Sequence, residues 1–168
     1  KSFINDNSIA IVQEFSPTNW RRISAGDVKK HVMFVTDKTK PHHAKTMEAY
    51  AEAAVEFRDT LRWINVPVTE DKVLDFFSIP TTKLPRMIIV DFSLDDGMKK
   101  YVYKGPTKAD KIAKFASDFL NDKLKAELKS EKVKKGDTVG DVLVLRGKSF
   151  EKEVMDNDKD VLVEFYAP

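Results

Sequence analysis

His31-Val32-Met33-Phe34-Val35 stands between Lys29-Lys30 and Thr36-Asp37. The run is continuously apolar rather than alternating, which predicts a strand covered on both faces. Pro41 then opens an amphipathic helix: Ala44, Met47, Ala51, Ala54 and Val55 recur at spacings of three and four, and Glu48, Glu52 and Glu56 form a parallel acidic row. A doubly covered strand followed by a helix with one dry side predicts helices on both faces of a sheet.

Outward from that unit the same grammar repeats. Upstream, Ile11 to Phe15 reads as an extended segment. Ser16-Pro17 reads as a helix start, with Trp20 and Ile23 facing inward and Ala25-Gly26 ending the helix. Downstream, Leu61 to Val68 reads as a strand and Glu70 to Ile79 as a short helix. Met87 to Phe92 is a strong strand, Asp95-Asp96-Gly97 an antiparallel turn, and Lys100 to Tyr103 the returning strand. Thr107 with Asp110 resembles a capping box, ahead of a stripe of Ile112, Phe115, Ala116, Phe119 and Leu120. The predicted order is β-α-β-α-β-α-β-β-α, an α/β fold with a mixed central sheet and helices on both faces.

Lys123 to Lys135 is rich in lysine, with Leu124, Leu128 and Val133 at wide spacing, and reads as a linker. A second pattern follows: a strand at Asp141 to Leu145, a short helix at Ser149 to Asp156, and a strand at Val161 to Tyr166. A complete domain would cover that last strand, so the chain is expected to stop inside a second domain. The expected division is 1–124, a linker at 125–140, and an incomplete domain at 141–168.

Composition narrows the function. The 168 residues carry 29 basic and 27 acidic side chains, a net charge of +2, too balanced to argue for a nucleic-acid or acidic-membrane partner. The longest apolar runs, Val32 to Val35 and Met87 to Val90, fall far short of the roughly twenty residues a bilayer span needs. No N-terminal signal is visible, because Asn5-Asp6 turns the chain polar too soon. The cysteine count is 0, which excludes a thiol nucleophile, an internal disulfide and a Cys-ligated zinc. His42 and His43 are adjacent and point about 100° apart on a helix, so they do not form a metal-binding pair. No metal or cofactor is expected, and no catalytic residue. Asp95-Asp96-Gly97 lacks a calcium-loop pattern. The acidic residues Glu151, Glu153, Asp156 and Asp158 read as a solvated face.

The last stretch is the most specific. Gly147-Lys148-Ser149-Phe150-Glu151, followed by Asp160-Val161-Leu162-Val163-Glu164-Phe165-Tyr166-Ala167-Pro168, resembles the opening of a catalytic domain of the protein disulfide isomerase family. The resemblance implies that the preceding residues form the non-catalytic b′ domain, with a thioredoxin-like fold, and that 125–140 form the x linker. It places a cis-proline before the hairpin's first strand, at Pro85, and matches Glu164 to a buried glutamate that serves the catalytic cysteines. Without those cysteines Glu164 reads as a solvated strand residue, since disulfide exchange needs an attacking thiolate.

The resemblance also implies an apolar pocket for unfolded polypeptide clients. Phe15, His31, Ile64 and Phe76 stand at its positions, and Phe34, Phe77 and Ile79 are secondary contributors. Ser24 stands where some relatives carry an aromatic residue. Each of these also reads as core packing, and His31 as a core histidine. Leu124, Leu128 and Val133 would cap the pocket. The implied parent works in the endoplasmic reticulum lumen beside other thioredoxin domains. Self-pairing through the exposed strand at 160–168 is a further expectation. The alternatives are a scaffold or hinge between catalytic domains, and a docking module for one fixed protein partner.

Overall fold

A computed structural model describes residues 10–94, 97–128, 130–131, 133–134, 136, 138–156 and 158–165. The chain divides into two compact units, Lys1–Glu127 and Leu128–Pro168.

The first unit runs β1 (Val12–Glu14), α1 (Pro17–Ser24), β2 (Lys30–Thr36), α2 (His43–Glu56), β3 (Arg62–Pro67), α3 (Asp71–Phe76), β4 (Arg86–Leu94), β5 (Gly97–Val102) and α4 (Ala109–Leu120). The five strands lie in the order β1-β3-β2-β4-β5. β3 is parallel to β1 and β2, while β4 and β5 pair antiparallel. This is the thioredoxin-like α/β sheet that the element order implies. Of the predicted turn, Asp95 and Asp96 lie outside the described residues.

Alternation along the strands assigns side chains to two layers. Val32, Phe34, Trp63, Met87 and Ile89 pack under α2 and α4. Met33, Val35, Ile64, Val66, Ile88 and Val90 pack under α1 and α3. All of β2 from His31 onward is buried, as a strand between two helix layers must be.

Local signals explain the helix ends. Ser16 accepts a hydrogen bond from the Asn19 amide, and Asn19 Oδ1 accepts from the Ser16 amide, so two of the orphan donors at the start of α1 are satisfied. The capping box predicted at Thr107 does not form. The N-cap of α4 is Lys108, with no side-chain cap, and Asp110 pairs with Lys111 at 3.2 Å. The dry stripe of α2 also differs from the predicted one. Val55 is 55% exposed and Ala44 is exposed, while Tyr50, Ala53 and Ala54 are buried. Tyr50 takes the centre because its hydroxyl finds partners there: it donates to the Val32 carbonyl at 2.8 Å and accepts from the Ile64 amide at 3.1 Å.

After α4 the chain stays with the first unit through residue 127. Leu124 packs on the layer under α2 and α4. Glu127 donates its amide to the Lys100 carbonyl and pairs its carboxylate with Lys100 Nζ at 2.8 Å. Leu124 therefore lies on the face opposite the expected pocket, and Leu128 and Val133 are exposed.

The second unit holds a two-residue hairpin, β6 (Thr138–Val139) with β7 (Val142–Leu143), and a helical turn α5 (Gly147–Phe150) that continues as a π turn over Glu151–Met155. The strand predicted at 161–166 is not formed over its described residues, 161–165. Leu162 is 99% and Phe165 84% exposed. A β-run gains its stability from cross-strand partners, and none among the described residues pairs with this segment. Residues 166–168 lie outside the description.

Candidate functional site

The sheet face under α1 and α3 carries a row of aromatic rings. Phe15 meets Trp20 of α1 at 5.7 Å between centroids, and Trp20 meets His31 at 5.7 Å. His31 meets Phe92 of β4 at 5.2 Å, Phe92 meets Phe77 at 6.4 Å, and Phe77 meets Phe76 edge-on at 4.9 Å. Strand alternation supplies Phe15, His31 and Phe92 on one face, and α1 and α3 supply the rest.

Three of the four residues expected to line a pocket form the floor of this row: Phe15, His31 and Ile64 are buried. Phe76 alone turns outward, at 66% exposure, while Trp20, Val73 and Phe92 are half-buried against the layer under α1 and α3. Phe77 and Ile79 are buried on the same face, whereas Phe34 belongs to the opposite layer. Ser24 ends α1, with its hydroxyl donating to Arg21 O. Trp20 and Phe92 were not assigned to the site from sequence. The parity that puts Val90 and Phe92 on the face of Ile88 was available to find the second of them.

His31 is the polar exception in the row. Nε2 donates to the Val28 carbonyl at 3.1 Å, and Nδ1 has no hydrogen-bond partner among the described residues. Burial holds its pKa below the usual histidine value. The Val28 hydrogen bond opposes that shift, and the charges of Arg62 and Lys29 add to it. A neutral ring between Trp20 and Phe92 behaves as another flat apolar contact.

The C-terminal ends of the parallel strands are polar. Glu14 Oε2 accepts from Asn65 Nδ2 at 2.9 Å, and Asn65 Oδ1 accepts from Thr36 Oγ1 at 2.7 Å. Burial raises the Glu14 pKa, but the hydrogen bonds from Lys38 and Asn65 prevail and hold it below the ordinary carboxylate value. Leu84–Pro85 is a cis peptide bond, and Pro85 borders a cavity of about 260 Å³ shared with Phe34, Arg86, Tyr103 and Thr107. A second cavity, of about 470 Å³, opens at the other end of the sheet. Neither is lined by the four expected pocket residues.

Among the described residues no group of three or more His, Cys, Asp or Glu side chains is placed to hold a metal. No described helix is long and apolar enough to cross a membrane. Glu164 is exposed. The aromatic row presents apolar side chains, with His31 as its one polar ring.

Residues 1–118 match the family model of a thioredoxin-like domain. Protein disulfide isomerase-like 1-4 of Arabidopsis thaliana is 33% identical over 99% of this chain and 28% of its own length. Protein disulfide-isomerase of Gallus gallus is 29% identical over 99% of this chain and 33% of its own. For protein disulfide-isomerase A2 of Homo sapiens the values are 30%, 99% and 32%. The chain thus spans about a third of the length of these relatives. Among solved structures, human ERp44 form II aligns with a TM-score of 0.56 at 16% identity, covering 73% of this chain and 33% of that one. The first thioredoxin domain of mouse protein disulfide-isomerase A4 aligns with a TM-score of 0.53 at 16% identity, covering 76% and 86%. The first unit's sheet and the matched relatives agree: the chain belongs to the thioredoxin-like domains of the protein disulfide isomerase family.

Proposed function

We propose that this chain is the client-binding part of a protein disulfide isomerase, a b′-type domain that holds unfolded or misfolded polypeptide against the aromatic row between α1 and α3. The observation that carries the reading is Phe76, 66% exposed at the end of that row. An exposed ring set edge-on against buried Phe77 gains about 25 cal/mol for each Å² of apolar client surface it covers, and asks for no particular sequence. Phe15, His31 and Ile64 form the floor that holds these contacts in place. The chain has 0 cysteines, so disulfide exchange belongs to other thioredoxin domains of the parent chain, working with this one in the endoplasmic reticulum lumen. In this reading residues 125–140 are the connector and 141–168 open the next domain.

Nuclear magnetic resonance titration of the 168-residue chain with a cysteine-free unfolded peptide tests this. Saturable shifts centred on Trp20, Phe76 and Phe92 are expected. Absence of saturable binding, or shifts confined to 128–168, rejects it.

A further inference from the structure

The cavity at the N-terminal ends of the parallel strands is polar and separate from the aromatic row. Its volume is about 470 Å³, and Gln13, Arg22, Asp27, Arg58, Asp59 and Arg62 contribute to its lining. Gln13 and Arg62 project from the α1 side of the sheet, by alternation with Val12 and Trp63. Arg22 comes from the last turn of α1. A Cβ on Gly26 would sit 3.5 Å from Arg62 Nη2, so the guanidinium rests against the turn that follows α1.

Two features of this cavity point to a ligand. Gln13 is 7% exposed as a residue, and its carboxamide has no hydrogen-bond partner among the described residues and keeps its solvent contact at the cavity. A carboxamide at a cavity wall with no partner of its own offers both a donor and an acceptor to an incoming group. Arg22 and Arg62 likewise have neither an ion-pair nor a side-chain hydrogen-bond partner among the described residues. The nearby carboxylates do not neutralise them: Asp59 is 92% exposed and lies 3.7 Å from Arg58, and Asp27 is exposed.

We propose that this cavity binds an acidic peptide segment, with Arg22 and Arg62 taking a side-chain carboxylate and Gln13 taking the adjoining peptide group. A guanidinium fork matches a carboxylate in two parallel hydrogen bonds. A carboxamide offers the donor and acceptor that a peptide group needs. The volume suits a side chain with its backbone. β1 is an edge strand and begins at the cavity, so no described strand pairs along its outer side there. The site goes beyond the apolar client surface and does not depend on it.

The test is calorimetry and nuclear magnetic resonance on the 168-residue chain at low salt, with acetylated, amidated tetraglutamate as probe. Tetraglutamine and inorganic phosphate are the comparison arms. Tetraglutamate is expected to saturate and to move the Gln13 side-chain amide and the Arg22 and Arg62 Nε signals. Arg22→Ala or Arg62→Ala should each weaken it about tenfold, the usual scale for a lost charge-assisted pair. Gln13→Glu, which places a carboxylate among the arginines, should abolish it. The proposal fails if tetraglutamate does not saturate, if tetraglutamine binds equally, or if both arginine variants bind like the parent. It also fails if phosphate binds as tightly while the Gln13 signal stays still. Arg22 is on the surface, so Arg22→Ala keeps the test readable should Gln13→Glu unfold.

Discussion

Phe76→Ala separates a binding surface from a packing surface. Phe76 is 66% exposed, whereas its neighbour Phe77 is 4% exposed. A phenylalanine presents roughly 200 Å², so about 130 Å² of Phe76 is open for a client to cover, worth about 3 kcal/mol at roughly 25 cal/mol per Å². Immobilising the ring costs roughly 1 kcal/mol, which leaves about 2 kcal/mol, or about thirtyfold in Kd. The same exposure means the fold loses little, about 0.5 kcal/mol on the scale of surface substitutions. Phe77→Ala should instead cost about 3–5 kcal/mol of stability, as a large-to-small change in a core does. Calorimetric titration with a cysteine-free unfolded peptide gives the affinities, and urea unfolding gives the stabilities. A Phe76→Ala protein that stays folded and binds within about threefold of the parent would refute the assignment of Phe76 as an anchor.

Further outcomes follow from other contacts. Tyr50→Phe removes the hydroxyl that bridges the Val32 carbonyl and the Ile64 amide, and should cost about 1–3 kcal/mol in urea unfolding; an unchanged midpoint would show that the strands close up without it. His31 has a folded pKa below its unfolded value near 6.5, so the unfolded chain binds the proton first. Its contribution is fully present above that pH and is lost as pH falls below it toward the folded value. His31→Leu should therefore flatten the stability profile below about pH 6.5, and parallel profiles would contradict the linkage. Ser16→Ala removes the cap of α1 and should cost about 1 kcal/mol in the same assay, loosening the helix that carries Trp20; no loss would mean Asn19 caps the helix alone. Val161, Leu162 and Phe165 face solvent, so light scattering should show the 168-residue chain self-associating more than one ended at residue 140; equal masses would remove that expectation.

Much of the fold was legible because its signals are local. The continuous run at His31 to Val35, the spacing of Ile112, Phe115, Ala116 and Phe119, and the Ser16-Pro17 start each depend on neighbours within one element. Where the reading missed, the deciding partner lay in another element. Thr107 looked like a cap but the helix starts one residue later. Val55 fitted a dry stripe, yet Tyr50 lies at its centre because its hydroxyl meets two strands. Val161 to Phe165 had strand composition but no strand to pair with among the described residues.

The site divides along the same line. Sequence alone determined that no thiol chemistry resides here, since an absent cysteine cannot be supplied by folding, and it named four side chains for an apolar surface. Tertiary structure decided what each does: Phe15, His31 and Ile64 are covered by α1 and the neighbouring strands, while Phe76 at the end of α3 is left to the solvent. It also brought Gln13, Arg22 and Arg62, from three different elements, to one cavity. Exposure and convergence are properties of packed surfaces, and no spacing along a single chain segment encodes them.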